Sequence, residues 1–148
     1  MTTRKKGTIA FFNEGINFTL PQKLLTKSWI KNVIESDKKS CGEINYIFCN
    51  DSFLLEMNKN YLNHNTLTDI ITFDNTEKDL ISGEIYISID RVKENALLFS
   101  QSFAAELNRV MIHGILHLLG NKDKSPVDKS NMRKKEDACL TILNSRIT

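Results

Sequence analysis

Cysteine is scarce in this chain of 148 residues. Cys41, Cys49 and Cys139 form an odd set with no CxxC spacing, which excludes a disulfide framework and a cysteine-based zinc module. Cys49 falls in an apolar run and Cys139 in a helical pattern, so both read as core residues, and the expected compartment is reducing and intracellular. Long hydrophobic runs are missing: no stretch approaches the roughly 20 apolar residues needed to cross a bilayer. The first apolar segment is interrupted by Asn13, Glu14 and Gly15, too early for a signal-peptide core, so the expected location is the cytoplasm and no membrane partner is expected. An excess of one charge is also lacking, since 20 Lys and Arg against 18 Asp and Glu leave a formal net charge of +2. No whole-molecule field therefore announces nucleic acid. Histidine is limited to three positions, His64, His113 and His117, which restricts any imidazole-based site.

What is present suffices for one folded domain over residues 1–148, with no repeat and no long linker. A chain of this length buries about 70% of its extended surface and needs no metal or disulfide to hold its core. Thr8 to Phe12 reads as a strand. Thr19, Pro21 and Gln22 resemble a helix start, followed by the stripe Leu25, Trp29, Ile30, Val33 and Ile34 and an end near Ser36. Gly42 to Cys49 alternates as a strand, with Ile44, Tyr46 and Phe48 on one side. Asn50, Asp51 and Ser52 offer caps for a short helix that stops around Asn58 to Asn65. Ile70 to Phe73 is a third strand, Asn75 to Gly83 a loop, and Glu84 to Ile89 a fourth strand. Asp90 can cap a helix to Phe99, with Val92, Ala96 and Phe99 inward. Ser102 can cap another from Phe103 to Leu119, closed by Gly120. A last helix starts at Ser130 or Asn131, with Met132, Ala138 or Cys139, and Ile142 inward. The order predicts an α+β fold, with a four-stranded mixed sheet packed against about five helices.

The segment His113-Gly-Ile-Leu-His117-Leu-Leu-Gly120-Asn-Lys-Asp123 carries the chemistry. Histidines four apart on a helix stand above one another on one face, the geometry for holding one metal with two imidazoles. A glycine that ends the helix lets the chain turn back and bring Asp123 to the same point. Two nitrogens and a carboxylate oxygen would leave one open position on a tetrahedral zinc. Against this stands the ordinary reading of an HxxxH pair as two hydrogen-bonded or half-exposed helix residues. In HExxH enzymes the residue after the first histidine is the glutamate base. Gly114 stands there instead, so the base must come from elsewhere, and the glycine permits a close approach by another segment or by substrate.

This segment resembles the signature HGxLHLxGxxH of the bacterial YbeY endoribonuclease family, in His113, Gly114, Leu116, His117, Leu118 and Gly120. Asn58 and Tyr61, the run from Thr68 to Phe73, Gly83 with Glu84 and Ile85, Ser102 with Phe103, Glu106 and Leu107, and Met132 with Glu136 extend the resemblance over most of the chain. The resemblance implies a zincin-like metal helix with one zinc per chain on His113, His117 and Asp123. It also implies cleavage of single-stranded RNA by metal-activated water, in 16S rRNA 3′-end maturation and ribosome quality control. The implied partners are 16S rRNA, the small ribosomal subunit and a ribosomal or assembly-factor protein. Two departures matter. The third ligand, usually histidine in the family, is Asp123, and the arginine usual after the tyrosine is Leu62. Arg109, one turn before His113, is a candidate replacement, as are Lys122 and Lys124, each with an ordinary surface role as the alternative. Lys122, Lys124, Arg133 and Lys134 are candidate RNA-binding residues, and His64 a candidate proton carrier, against a plain solvated loop. Two other functions stay open: a peptidase-like zinc hydrolase, and a ribosome-assembly binding protein with a structural metal.

Overall fold

Parallel neighbours in a sheet need a crossover between them, and the alternation of strands and helices supplies two. The computed structural model describes residues 7–63 and 66–147. Its elements are β1 (Thr8–Asn13), α1 (Lys23–Ser36), β2 (Ser40–Cys49), α2 (Asp51–Tyr61), β3 (Ile70–Asp74), β4 (Leu80–Ser88), α3 (Ile89–Leu98), α4 (Phe103–Leu118) and α5 (Pro126–Ile147). The sheet order is β1-β2-β4-β3. β1 and β4 both run parallel to β2, while β3 is antiparallel to β4. The predicted four-stranded mixed α+β architecture with five helices is the observed one.

Helices cover one face of the sheet fully and the other at its Cys49 end, while Phe12 and Glu43 on that second face stay exposed. Ile44, Tyr46, Phe48, Ile85 and Ile87 face the main core, which they share with Trp29, Ile30 and Ile34 of α1 and with the apolar side of α4. On the opposite face Cys49 and Ile71 pack with Leu54, Phe53 and Met57 of α2. Two buried polar groups in the main core are satisfied across elements. Tyr46 Oη donates to the Met111 carbonyl at 2.9 Å, and Trp29 Nε1 to the Cys139 carbonyl at 2.8 Å. The three cysteines are free and buried. Burial raises all three thiols, Cys49 to about 12 with the charges of Asp51, Asp90 and Glu14 adding.

The helix and strand boundaries correct several expectations. α1 begins at Lys23, because Gln22 is left-handed at φ 54 and breaks the turn that Thr19 was expected to cap. β4 begins at Leu80, so the expected loop from Asn75 to Gly83 is shorter: pairing with Ser40 and Cys41 of β2 draws Leu80 and Ile81 into the sheet. Ser88, not Asp90, caps α3, its Oγ accepting from Arg91 N at 3.2 Å, while Asp90 accepts from Asp51 N at 3.1 Å. Phe99 lies outside the core, half exposed. α5 begins at Pro126, because Ser125 and Asp128 form a reciprocal capping box with proline in the first helical position. The inward stripe of α5 runs through Met132, Glu136, Cys139 and Leu143 at helical spacing, which leaves Ala138 and Ile142 exposed.

Gly114 is where α4 touches the sheet. A Cβ there would stand 3.0 Å from Ile85 Cδ1 and Cγ2 and 3.1 Å from Ile70 Cδ1, so the close approach that the glycine permits is to the sheet. Alanine would gain about 1 kcal/mol of helix propensity. Ile85 is fully buried and has no room to retreat, so overpacking of about 1–3 kcal/mol should win. Thermal unfolding of Gly114→Ala in chelator should therefore show a lowered Tm; a raised Tm would mean that the sheet yields.

Candidate metal centre

Ser102 caps α4, its Oγ accepting from Ala105 N at 3.1 Å. Leu107, Val110, Met111, Ile115 and Leu118 turn into the core. The remaining stripe is Glu106, Arg109, His113 and His117, which lines a cleft of about 910 Å³ together with parts of the α2–β3 connection, α3 and α5. The end of α4 then reverses the chain. Gly120, at φ +97, donates to the His117 carbonyl at 2.9 Å, and Asn121 N donates to the Leu116 carbonyl at 3.0 Å. This pairing is a Schellman closure with glycine at the left-handed position, as the sequence predicts. The reversal also brings the Asn121 carbonyl to 2.9 Å from His117 Nδ1, and Asp123 back over the helix.

His113, His117 and Asp123 then converge. The two Nε2 atoms are 2.9 Å apart, and each is 3.2 Å from Asp123 Oδ2. Both outer nitrogens are held by acceptors: His113 Nδ1 donates to Glu136 Oε2 at 2.6 Å, and His117 Nδ1 to the Asn121 carbonyl. With the protons on Nδ1, both Nε2 lone pairs point at a carboxylate oxygen, and no donor stands among the three. Such a convergence of acceptors is relieved by a bound metal ion, or in its absence by a second proton on His113, whose imidazole is raised. Tetrahedral ligands about 2.0–2.1 Å from zinc would stand about 3.3 Å apart, close to these spacings. The donor set therefore fits a single metal ion, with hydrogen-bonded histidine partners of the kind that orient metal ligands.

The same contacts set the protonation. Burial works to lower His113, but the hydrogen bond and charge of Glu136 outweigh it and the imidazole is raised overall. Burial raises Asp69, which lines the cleft, against the pull of His113. Glu106 is raised by burial and then by the charge of Asp69, with Arg109 and Arg133 opposing. Four carboxylates (Asp69, Glu106, Asp123 and Glu136) line the cleft against three cations, Arg109, Lys124 and Arg133. Without a metal the cleft is slightly acidic; a divalent ion reverses that sign.

The proposed basic residues divide. Arg109 enters the cleft, but its guanidinium is engaged, Nη1 with Glu136 Oε1 at 2.8 Å and Nη2 with Asp137 Oδ1 at 2.7 Å. Lys124 and Arg133 line the cleft and form no ion pair among the described residues. Lys122 and Lys134 line a separate shallow depression between Gly120 and Lys135. His64 lies outside the described residues. Sequence reasoning placed Glu136 only at the start of the last helix and missed its hold on His113, because 23 residues separate them. Asn121 had a local signal: it follows the helix-ending glycine, where a backbone carbonyl must turn back toward the last helical turn.

A mixed sheet supporting one buried helix, with two histidines on its outer stripe and an aspartate returned by a glycine turn, defines a zincin-like single-metal centre. A family model described as endoribonuclease YbeY matches residues 12–144. The endoribonuclease YbeY of Flavobacterium psychrophilum is 53% identical over 133 residues, 90% of this chain and 95% of that protein. That of Cytophaga hutchinsonii is 49% identical over 139 residues, 93% and 97% of the two chains. A solution structure of a Thermotoga maritima protein matches with a TM-score of 0.61 at 27% identity, over 94% of this chain and 93% of that one. The chain belongs to the YbeY endoribonuclease family.

Proposed function

We propose that this chain is a zinc-dependent endoribonuclease that cuts single-stranded RNA, acting in 16S rRNA 3′-end maturation and ribosome quality control in the cytoplasm. Its partners on this reading are the small ribosomal subunit and a ribosomal or assembly-factor protein. The observation that carries it is the convergence of His113 Nε2, His117 Nε2 and Asp123 Oδ2 in an open cleft, in a chain of this family. One zinc per chain suits two imidazole nitrogens and a carboxylate oxygen. When bound, the ion would activate water and offset charge on the phosphodiester in the transition state.

The chain's own groups divide the remaining work. Asp123 and the two histidines hold the ion, and Glu136 and the Asn121 carbonyl keep both imidazoles aimed. Arg109 acts as a positioning residue, holding Glu136 against His113. Lys124 and Arg133 are the cations left to meet the phosphate in place of the arginine that Leu62 replaces. Gly114 offers no carboxylate, which also counts against a peptidase of the HExxH kind. Asp69 and Glu106, both on the cleft wall and raised by burial, are the groups placed to carry a proton.

Metal analysis of the purified protein should find about one zinc per chain. The loaded protein should cut single-stranded RNA and spare the same sequence in a duplex; chelation should stop the cutting and zinc restore it. A loaded protein that binds RNA without cutting it would instead support an assembly factor with a structural metal. Metal-dependent cleavage of a peptide would support the other hydrolase class.

A further inference from the structure

The cleft is larger than a metal ion and one phosphate group require, and its walls differ in chemistry. The metal centre and the charged residues come from α4, α5 and the turn between them. The wall formed by the α2–β3 connection and the end of α3 carries Leu62, Leu67 and Phe99, which are 43%, 52% and 53% exposed. Three large apolar side chains from two separate elements facing one open groove mark a ligand surface. Leu62 stands where the family resemblance calls for arginine, so this wall is apolar in a chain that could have made it cationic.

Phe99 supplies the one phenyl or phenol ring on the cleft lining, and it enters no ring pair among the described residues. Nearby Tyr61, by contrast, packs edge-on against Phe73 at 6.4 Å. The position of Phe99 is set by the backbone. Ser100 N donates to the Leu97 carbonyl at 3.3 Å and Gln101 N to the Ala96 carbonyl at 2.8 Å, a Schellman closure with Ser100 left-handed at φ 54. Phe99 is the C-cap of that closure. Asn95, one turn earlier on the same wall, makes no side-chain hydrogen bond among the described residues, so its amide is free to meet a polar edge.

What can lie on this wall is limited by what the centre acts on. A phosphodiester held at the metal joins two nucleosides, whose nucleobases are the flat groups with apolar faces, and base faces stack on aromatic rings with little regard to sequence. A base inside a duplex has both faces covered by its neighbours, so only an unpaired nucleotide can use such a ring. We propose that Phe99, flanked by Leu62 and Leu67 and with the Asn95 amide at its edge, forms a nucleobase-stacking subsite that selects an unpaired nucleotide beside the scissile bond. This rests on the endoribonuclease reading above.

The test uses zinc-loaded protein and a single-stranded RNA carrying 2-aminopurine, or an abasic nucleotide, at successive positions around the cut. Phe99→Ala should raise KM about tenfold, within the roughly 5- to 150-fold range of lost base–aromatic stacking, with metal content unchanged. Phe99→Trp should keep wild-type KM, and Phe99→Leu, which keeps apolar bulk without a ring, should follow alanine. At one position the abasic RNA should cost the wild type a similar factor and cost Phe99→Ala nothing more, the non-additivity expected of a direct contact. Quenching of 2-aminopurine at that position should be lost in Phe99→Ala. Unchanged KM in Phe99→Ala, or fully additive penalties, would overturn the subsite and leave the patch to a protein partner. A loaded wild type that cuts no RNA would overturn the endoribonuclease reading, and the subsite with it.

Discussion

His117→Ala should yield a folded protein that holds no stoichiometric metal and cuts RNA at least about a thousandfold more slowly. The rate follows from removing a metal contribution of several kcal/mol, at 1.36 kcal/mol per factor of ten. Folding should survive because His117 is only partly buried, on the cleft side of α4, and its loss relieves the crowding of acceptors among His113 Nε2, His117 Nε2 and Asp123 Oδ2. The linkage effect gives an independent readout. Zinc at 100 times its Kd should stabilise the wild type by about 2.7 kcal/mol, which for a chain of this size raises Tm by roughly 5–10 °C. The variant should show no such rise. Zinc retained one-to-one by His117→Ala would remove this residue from the ligand set.

Glu136→Gln is the second large effect, and it separates orienting a ligand from being one. Glu136 is buried and holds two donors, His113 Nδ1 at 2.6 Å and Arg109 Nη1 at 2.8 Å. A glutamine can accept with its oxygen toward only one of them. If its amide nitrogen faces His113, the imidazole must shift its proton to Nε2, the atom that faces the metal. If it faces Arg109, two donors oppose each other. Metal affinity should fall about 10- to 100-fold, measured by competition with a chromophoric chelator. Much of the cleavage rate should return at saturating zinc, which would not happen for a lost ligand. Loss of one charge-assisted contact should also lower stability in chelator by about 2 kcal/mol, since Asp137 still holds Arg109. Unchanged zinc affinity would mean that Glu136 serves only to dock α5.

Much of this centre was legible in the sequence because it is local. The HxxxH spacing, the cap at Ser102, the glycine at position 120 and the aspartate three residues later all act within a span that helix geometry alone constrains. Fold class was legible for a similar reason: the alternation of Ile44, Tyr46 and Phe48 and the stripe from Trp29 to Ile34 each report their own burial. The start of α5 was also locally encoded, in the capping pattern of Ser125, Pro126 and Asp128, but it lies in a polar, basic stretch whose composition reads as loop. The start of β4 was different. Leu80 and Ile81 are strand because β2 lies beside them, and that pairing spans 40 residues.

By itself, then, the sequence determined the elements, two histidines on one helical face, a glycine turn to return a carboxylate, and membership of a family. Tertiary structure alone decided which nitrogen of His113 faces inward, because Glu136 arrives from α5 to accept the hydrogen bond of Nδ1, whereas His117 is aimed locally by the Asn121 carbonyl. It also decided that Arg109 is engaged with two carboxylates while Lys124 and Arg133 are not. Cysteine, histidine and net charge are all sparse in this chain, and local spacing says which few residues can act together. Which of them remain free to act depends on contacts between elements, and those form only when the chain packs.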